Sequence, residues 1–372
     1  MLPPGALPPP DGVDRAPWPA DGLKMSTTYT AENDDKWPLG TAGADAEWPA
    51  NVDQQALQST IQAAIGTPGT SSISPTGNGM TGPNTRSVVV IHKGRLLAER
   101  YAPGFDKNTP QLGWSLVWKR LTETGVSLDT PVVQLMQSAP RPQWIGPWLG
   151  DARADITVGE LLLMRDGLDL KEGYQPWSDV PRMLWSTPDI AAFAGAADVA
   201  EQPGSHWRYS SAVSNLLSAV LRDRFSADTA YWKFPARAIF EPLQMHNAVL
   251  ETDASGTFIA SSYLWATPRD WAKLGWLLLN DGRWQDQQLL PPGWLQLART
   301  RTEQPDGQRS PYGAHVWQTH DTNQLSCASN ARLPADGLMM SGHWGQVVGI
   351  FPATETVIVR TGWTIDRSQW DS

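Results

Sequence analysis

The spacing of apolar residues changes period along this chain. From Ser87 to Ala102, SVVVIHKGRLLAERYA sets two apolar runs on either side of Lys93-Gly94. Short runs rich in β-branched residues around such a pair predict a β-hairpin. Gly349 to Gly362, GIFPATETVIVRTG, has the same character and predicts a second strand–turn–strand unit. Tyr312 to Thr319 predicts a further strand. Elsewhere the period is helical. Val52, Leu57, Ile61 and Ile65 lie near helical spacing in Asn51 to Ile65,. Thr157 and Glu160 form a capping-box pattern ahead of Leu161 to Met164, with Gly167 as the expected stop. Ser211 to Phe225 carries Val213, Leu216, Leu217, Val220 and Leu221 on one face,. Thr267-Pro268-Arg269-Asp270 combines an N-cap, a proline at the first helical position and a box acid. The helix it starts is expected to turn Trp271, Leu274 and Leu278 inward and to end near Asn280-Asp281-Gly282.

Strands at both ends with helices between them predict one sheet built from both halves of the chain. The expected division is an α/β domain from residues 51–130 and 246–372, with residues 131–245 forming a mostly helical domain. Residues 1–50, rich in Pro, Gly, Asp and Ala, read as an arm. Gly66 to Arg86 reads as a Gly/Ser/Thr/Pro loop, and no internal repeat is present.

Composition narrows the function classes. With 372 residues, 41% hydrophobic and 18% charged, the chain can bury a large core,. Its net charge of −9 comes without a basic stripe, which argues against a nucleic-acid partner,. Cys327 is the only cysteine, so neither an internal disulfide nor a cysteine-rich zinc site is expected,. His315 and His320 sit five apart without a carboxylate at ligand spacing, and no metal site is expected. No signal peptide is visible, which suits a cytoplasmic protein or the mature form of a periplasmic one. No membrane span is expected, and the chain reads as a monomer or homodimer acting on a small molecule. Twenty tryptophans are expected mostly in the core or lining a cleft,.

The chemistry centres on Gln111 to Asp129, QLGWSLVWKRLTETGVSLD. A serine becomes a nucleophile when a neighbouring group takes its proton. Ser115 lacks the G-x-S-x-G setting of an α/β-hydrolase elbow. A Ser-His-Asp triad has no local signature here. A third design starts a helix with the serine and sets a lysine one turn on, and Lys119 stands four residues after Ser115.

Gly113-Trp114-Ser115, between the hairpin HKGRLLAERYAPGF and GVSLDTPV, resembles the nucleophile region of the β-lactamase-like serine hydrolases. The resemblance continues through LLLMRDGLDLKEGY (161–174), PGSHWRYSSAVSNLL (203–217), residues 251–284 and SGHWGQVVGIFP (341–352). It spans roughly residues 80–370 and is nearest in texture to 6-aminohexanoate-dimer hydrolase-like proteins. It implies an α+β, β-lactamase/DD-peptidase-like fold, with an antiparallel sheet flanked by helices plus a mostly helical domain. It implies hydrolysis of an ester or amide with no cofactor. Ser115 takes the nucleophile position and Tyr209 the proton-shuttling tyrosine. Ser211 stands where an asparagine is frequent. His343-Trp344-Gly345 stands where many members carry Lys-Thr-Gly. The backbone N–H groups of Ser115 and Gln346 take the oxyanion hole, and Tyr174 contacts substrate. Trp344, Gly345 and Ser211 fall on the substrate side, and Asp166, Asp169 and Glu172 read as loop caps and solvated charges.

The departure lies in the first motif. None of the eight lysines follows a serine by three residues, so Ser-x-x-Lys is absent. The stretch from Ser115 to Ser127 is also short by about eight residues, two helical turns, against the family pattern. Two readings stay open. Lys119 lies on the same helical face as Ser115 and serves as its base; or the base is lost and the chain is a binding protein on a hydrolase fold.

Overall fold

The computed structural model describes residues 48–65, 84–113, 126–137, 142–319 and 333–364. Ser115, Lys119, Trp114, Trp118, His320 and Cys327 lie outside the described residues, as do residues 1–47 of the expected arm.

The predicted hairpin and its distant counterpart form one antiparallel sheet. β1 (Thr85–His92) and β2 (Arg95–Tyr101) flank the Lys93-Gly94 turn. Near the other end, β8 (Trp317–Gln318), β9 (Leu338–Gly342), β10 (Gln346–Phe351) and β11 (Thr356–Gly362) complete six strands in the order β2-β1-β11-β10-β9-β8. Val89 of β1 pairs with Val359 of β11, so residues 270 apart in sequence form the centre of the sheet. A second sheet joins β3 (Gln111–Gly113), β5 (Leu264–Ala266) and β4 (Val249–Leu250) in the order β3-β5-β4; β6 (Arg283–Trp284) and β7 (Gln287–Gln288) form a small hairpin.

β1 is buried almost throughout because both its faces are covered. Side chains alternate across a strand. Val88 and Val90 pack with Ile61 of α1 (Gln54–Ile65), whereas Val89 and Ile91 join the main core. That core continues into the helical residues around α2 (Val158–Leu162) and α3 (Ser211–Arg222), where Ser211 to Leu221 are all buried.

The helix on the other face of the sheet, α5 (Pro268–Leu279), is closest to it. The capping box forms as expected: Thr267 Oγ1 accepts from Asp270 N at 3.1 Å, and Asp270 Oδ2 accepts from Thr267 N at 3.2 Å. The expected single inward face does not hold, because all twelve residues are buried. A Cβ on Gly275 would fall 2.6 Å from Val357 Cγ1 and 2.8 Å from Val348 Cγ1, closer than carbon atoms can pack. Glycine lets the helix backbone lie directly on β10 and β11.

Three further expectations change. α2 ends at Leu162, well before Gly167. Gly167 instead adopts φ +76 in a loop where a Cβ would meet Glu201 O at 2.2 Å. Within Tyr312 to Thr319 only Trp317–Gln318 is strand, because Tyr312 bridges back to Trp317 and His315 takes φ 58. Asp166 is buried rather than solvated; its Oδ1 accepts from Leu168 N at 2.9 Å. Glu172 is half-buried, and only Asp169 is exposed.

Two outcomes test this packing. A Cβ on Gly113 would lie 1.9 Å from Cζ2 of Trp271, so Gly113→Ala should lower stability by about 1–3 kcal/mol in denaturant unfolding, with Trp271→Phe relieving part of the loss,. Burial raises the Asp166 pKa to about 6 from 3.8. A carboxyl with a raised folded-state pKa favours folding while protonated, and that advantage is lost as pH rises through this window. Asp166 should therefore remove about 3 kcal/mol of stability across it, and Asp166→Asn should flatten that slope.

Candidate active site

The expected site residues come from three separated stretches, 172–174, 209–211 and 343–346. Tyr209 precedes Ser210, the N-cap of α3, whose Oγ accepts from Ala212 N at 3.3 Å. The Tyr209 ring stacks on Trp317, with centroids 5.3 Å apart, and meets Tyr312 edge-on at 5.6 Å. Trp207 packs against both of those rings. Large flat rings with few rotatable bonds hold a phenol in place at little entropic cost.

Ser211 opens α3, and both of its donors go to one carboxylate. Its backbone N–H donates to Glu172 Oε2 at 2.8 Å, and its Oγ donates to Glu172 Oε1 at 2.8 Å. Tyr174 donates its hydroxyl to Glu172 Oε1 at 3.0 Å. A helix N-terminus leaves backbone N–H groups unpaired and favours negative charge, which explains why a carboxylate sits there. Burial raises the Glu172 pKa, and the donors from Ser211 and Tyr174 offset only part of that rise. Burial and the adjacent Glu172 and Tyr209 likewise hold the Tyr174 phenol well above its usual value.

The helical side meets the sheet at one stacked pair. The rings of Tyr174 and His343 lie 3.8 Å apart and 16° from parallel. His343 belongs to the turn between β9 and β10. Trp344 takes φ 57 and Gly345 φ 87 in that turn, and Trp344 packs between His343 at 4.3 Å and Trp363 at 4.1 Å. Arg360 ties the turn from below, donating from Nη1 to Gly345 O at 2.6 Å and from Nη2 to Thr364 Oγ1 at 2.6 Å. The Gln346 side chain clamps β11: Nε2 donates to Gly362 O at 2.5 Å, and Oε1 accepts from Gly362 N at 3.1 Å.

The end of β3 reaches the same place. Gly113, Trp271, Gly342 and Gln346 line one small cavity of about 20 Å³. The chain therefore enters the Ser115 stretch beside Gln346. Tyr174, Tyr209, Ser211, His343, Trp344, Gly345 and Gln346 form one connected patch. Ser211 enters it with its hydroxyl already committed to Glu172 and its side chain buried.

Sequence reasoning missed Glu172, Tyr312, Trp317 and Arg360. Glu172 stands 39 residues from the serine it binds, and no local spacing marks that pair. Tyr312 and Trp317 read as strand residues, and only the fold turns their rings onto Tyr209. Among the described residues no group of three His, Cys, Asp or Glu side chains comes together to hold a metal ion. No described helix is long and apolar enough to cross a membrane.

Comparison with known proteins agrees with this architecture. The sequence model of the family described as beta-lactamase matches residues 86–361. No curated protein matches the chain. Similar solved structures include a candidate 6-aminohexanoate-dimer hydrolase from Bacillus anthracis, with a TM-score of 0.62 and 20% identity over 76% of this chain and 75% of that one. A class C β-lactamase gives a TM-score of 0.55 and 14% identity over 87% of this chain and 96% of that one. An octameric penicillin-binding protein homologue from Pyrococcus abyssi gives 0.55 and 16%, over 84% and 74%. At these identities the structural likeness speaks for the fold, while the sequence match covers most of the chain. With the antiparallel sheet, the helices on its faces and the cleft between them, this chain belongs to the β-lactamase family, whose members are generally serine hydrolases.

Proposed function

We propose that this protein is a serine hydrolase that cleaves an ester or amide through an acyl-enzyme on Ser115. The observation that carries the reading is that Tyr174 stacks on His343 and interacts with Tyr209, while Gln346, three residues after His343, shares a cavity with Gly113, two residues before Ser115 in the sequence. In this reading Ser115 Oγ attacks the substrate carbonyl. Its proton passes to Lys119 or Tyr209, and the backbone N–H groups of Ser115 and Gln346 hold the oxyanion. Collapse of the tetrahedral intermediate breaks the ester or amide bond, and the proton passes to the leaving group, directly from Tyr209 or from Lys119 through Tyr209. Water then attacks the acyl-serine, its proton passing by the same groups to Ser115 Oγ as the acid leaves.

A carboxylesterase or amidase acting on an apolar substrate fits better than a β-lactamase. Ser211 has spent its hydroxyl on Glu172, and His343 is stacked on Tyr174 where a lysine would offer a permanent charge. The stacked rings and Trp344 give that side of the cleft an aromatic surface.

One observation favours a second reading, a binding protein without hydrolytic activity: the sequence has no Ser-x-x-Lys. Fluorophosphonate labelling followed by peptide mapping separates the two. A single adduct on Ser115, absent from Ser115→Ala, is the expected result. A folded protein that takes no label would overturn the hydrolase reading and favour the second.

Glu172 acts as a positioning residue in this scheme, because its ionised form accepts three hydrogen bonds that orient Ser211 and Tyr174. Glu172→Gln should lower kcat/KM on short-chain esters by about ten- to a hundredfold, the loss expected for hydrogen bonds to a charged group. Activity of the unaltered protein should fall as pH drops through the raised Glu172 pKa, and that limb should vanish in Glu172→Gln. Stability runs the opposite way. A raised folded-state pKa favours the protonated folded form, so the contribution of Glu172 to stability declines as pH rises.

A further inference from the structure

Away from the cleft, the described residues line a second cavity of about 80 Å³. Phe234 of α4 (Asp228–Pro235), Phe240 after it, Leu264 of β5 and Leu277 of α5 form much of its wall. Trp294, which opens α6 (Trp294–Ala298), and His315 complete it. None of the cleft residues named above lines it. One water needs about 10–15 Å³ of such space, so the cavity has room for several heavy atoms of a ligand. Water is a poor occupant of such a space, because it needs two to four polar partners and the wall is almost wholly apolar.

His315 is the one titratable side chain among the described residues of that wall. Its backbone sits in the left-handed region at φ 58, a conformation unusual for a residue other than glycine,. Its Nε2 is buried and has no hydrogen-bond partner among the described residues. Burial lowers its pKa to about 4, so the ring is neutral at ordinary pH. A buried polar atom without a partner costs free energy, which a ligand group can recover. A charged ligand head would give up its hydration with no opposite charge to meet it.

We propose that this cavity binds an aliphatic molecule carrying one uncharged hydrogen-bonding head, an alcohol, ester or amide, with the head on His315 Nε2 and the chain against Phe240 and Leu277. The proposal is independent of the hydrolase reading, because it needs none of the cleft residues.

Octan-1-ol is a suitable probe, with sodium octanoate as its charged counterpart. The full-length protein carrying isotope-labelled histidine is titrated with each near neutral pH and followed by calorimetry and by the imidazole NMR signals. The His315 signal is assigned by its loss in His315→Leu. The expected result is saturable one-to-one binding of octan-1-ol that shifts the His315 Nε2 resonance. His315→Leu should weaken that binding about three- to tenfold, the loss of one hydrogen bond. Octanoate should bind about tenfold more weakly than the alcohol. Leu277→Trp fills the cavity and should abolish binding. Should that variant fail to fold, Ala314→Leu fills the same space from another wall. The absence of saturable binding would overturn the proposal, as would binding that survives both filled variants. An unchanged affinity in His315→Leu, or octanoate binding as tightly as octan-1-ol, would overturn the assignment of the head group.

Discussion

Burial of a whole helix against the sheet is the constraint on which the rest of this molecule depends. α5 exposes no face to water, yet its sequence contains Arg269, Asp270 and Lys273. Charges taken out of water must be paired and hydrogen-bonded. Arg269 makes a two-point contact with Glu99, at 2.8 Å from Nε and 2.6 Å from Nη2, which ties the start of the helix to β2. Lys273 donates to Asp270 Oδ1 at 3.0 Å and to Gln244 O at 2.8 Å, which ties its middle to the helical region. With both links made, the backbone at Gly275 lies on the sheet. The indole of Trp271 then lies under Gly113 and donates to Gln111 O at 3.3 Å. The position from which the chain leaves β3 is thus set by a helix more than 150 residues away in sequence.

The site built around that exit is governed by a balance between burial and hydrogen bonding. Glu172 is held at the mouth of α3, where the helix dipole and three donors favour its charge, while burial opposes it,. The outcome is a raised pKa, so a carboxylate at this point is costly and responds to its surroundings. Tyr209, by contrast, is positioned by packing. Tyr312 and Trp317 fix its ring from one side, and its place just before the α3 N-cap fixes its backbone. Oriented donors in a partly dehydrated cleft interact more strongly with developing charge than they would in water. This is the physical ground on which the proposed hydrolytic reading rests.

Local features were the most legible in the sequence. Both capping boxes are made as their residues predict, because a box needs only groups three residues apart,. The Lys93-Gly94 hairpin and the β10–β11 unit follow from apolar runs around short turns,. The link between the two halves of the sheet was also legible, since strands rich in β-branched residues at both ends need partners. Expectations that depended on distant contacts were less accurate. Gly167 looked like a helix stop, but its positive φ serves a close approach to Glu201 O. Tyr312 to Thr319 looked like a strand, but its rings and His315 are directed to two different places in the fold.

By itself, then, the sequence determined most of the elements, the antiparallel sheet with its helices and the family resemblance, and through that resemblance it pointed to Tyr174, Tyr209, Ser211 and His343. The elements rest on periodicity, caps and short turns, which act over a few residues. The tertiary structure alone decided that Glu172 would be taken from the solvent and bound to Ser211, that Tyr174 would stack on His343, and that His315 would line an apolar cavity with its Nε2 buried and without a hydrogen-bond partner among the described residues. Burial and long-range pairing are properties of the folded neighbourhood. They set charge state and orientation only once residues far apart in the chain have been brought together.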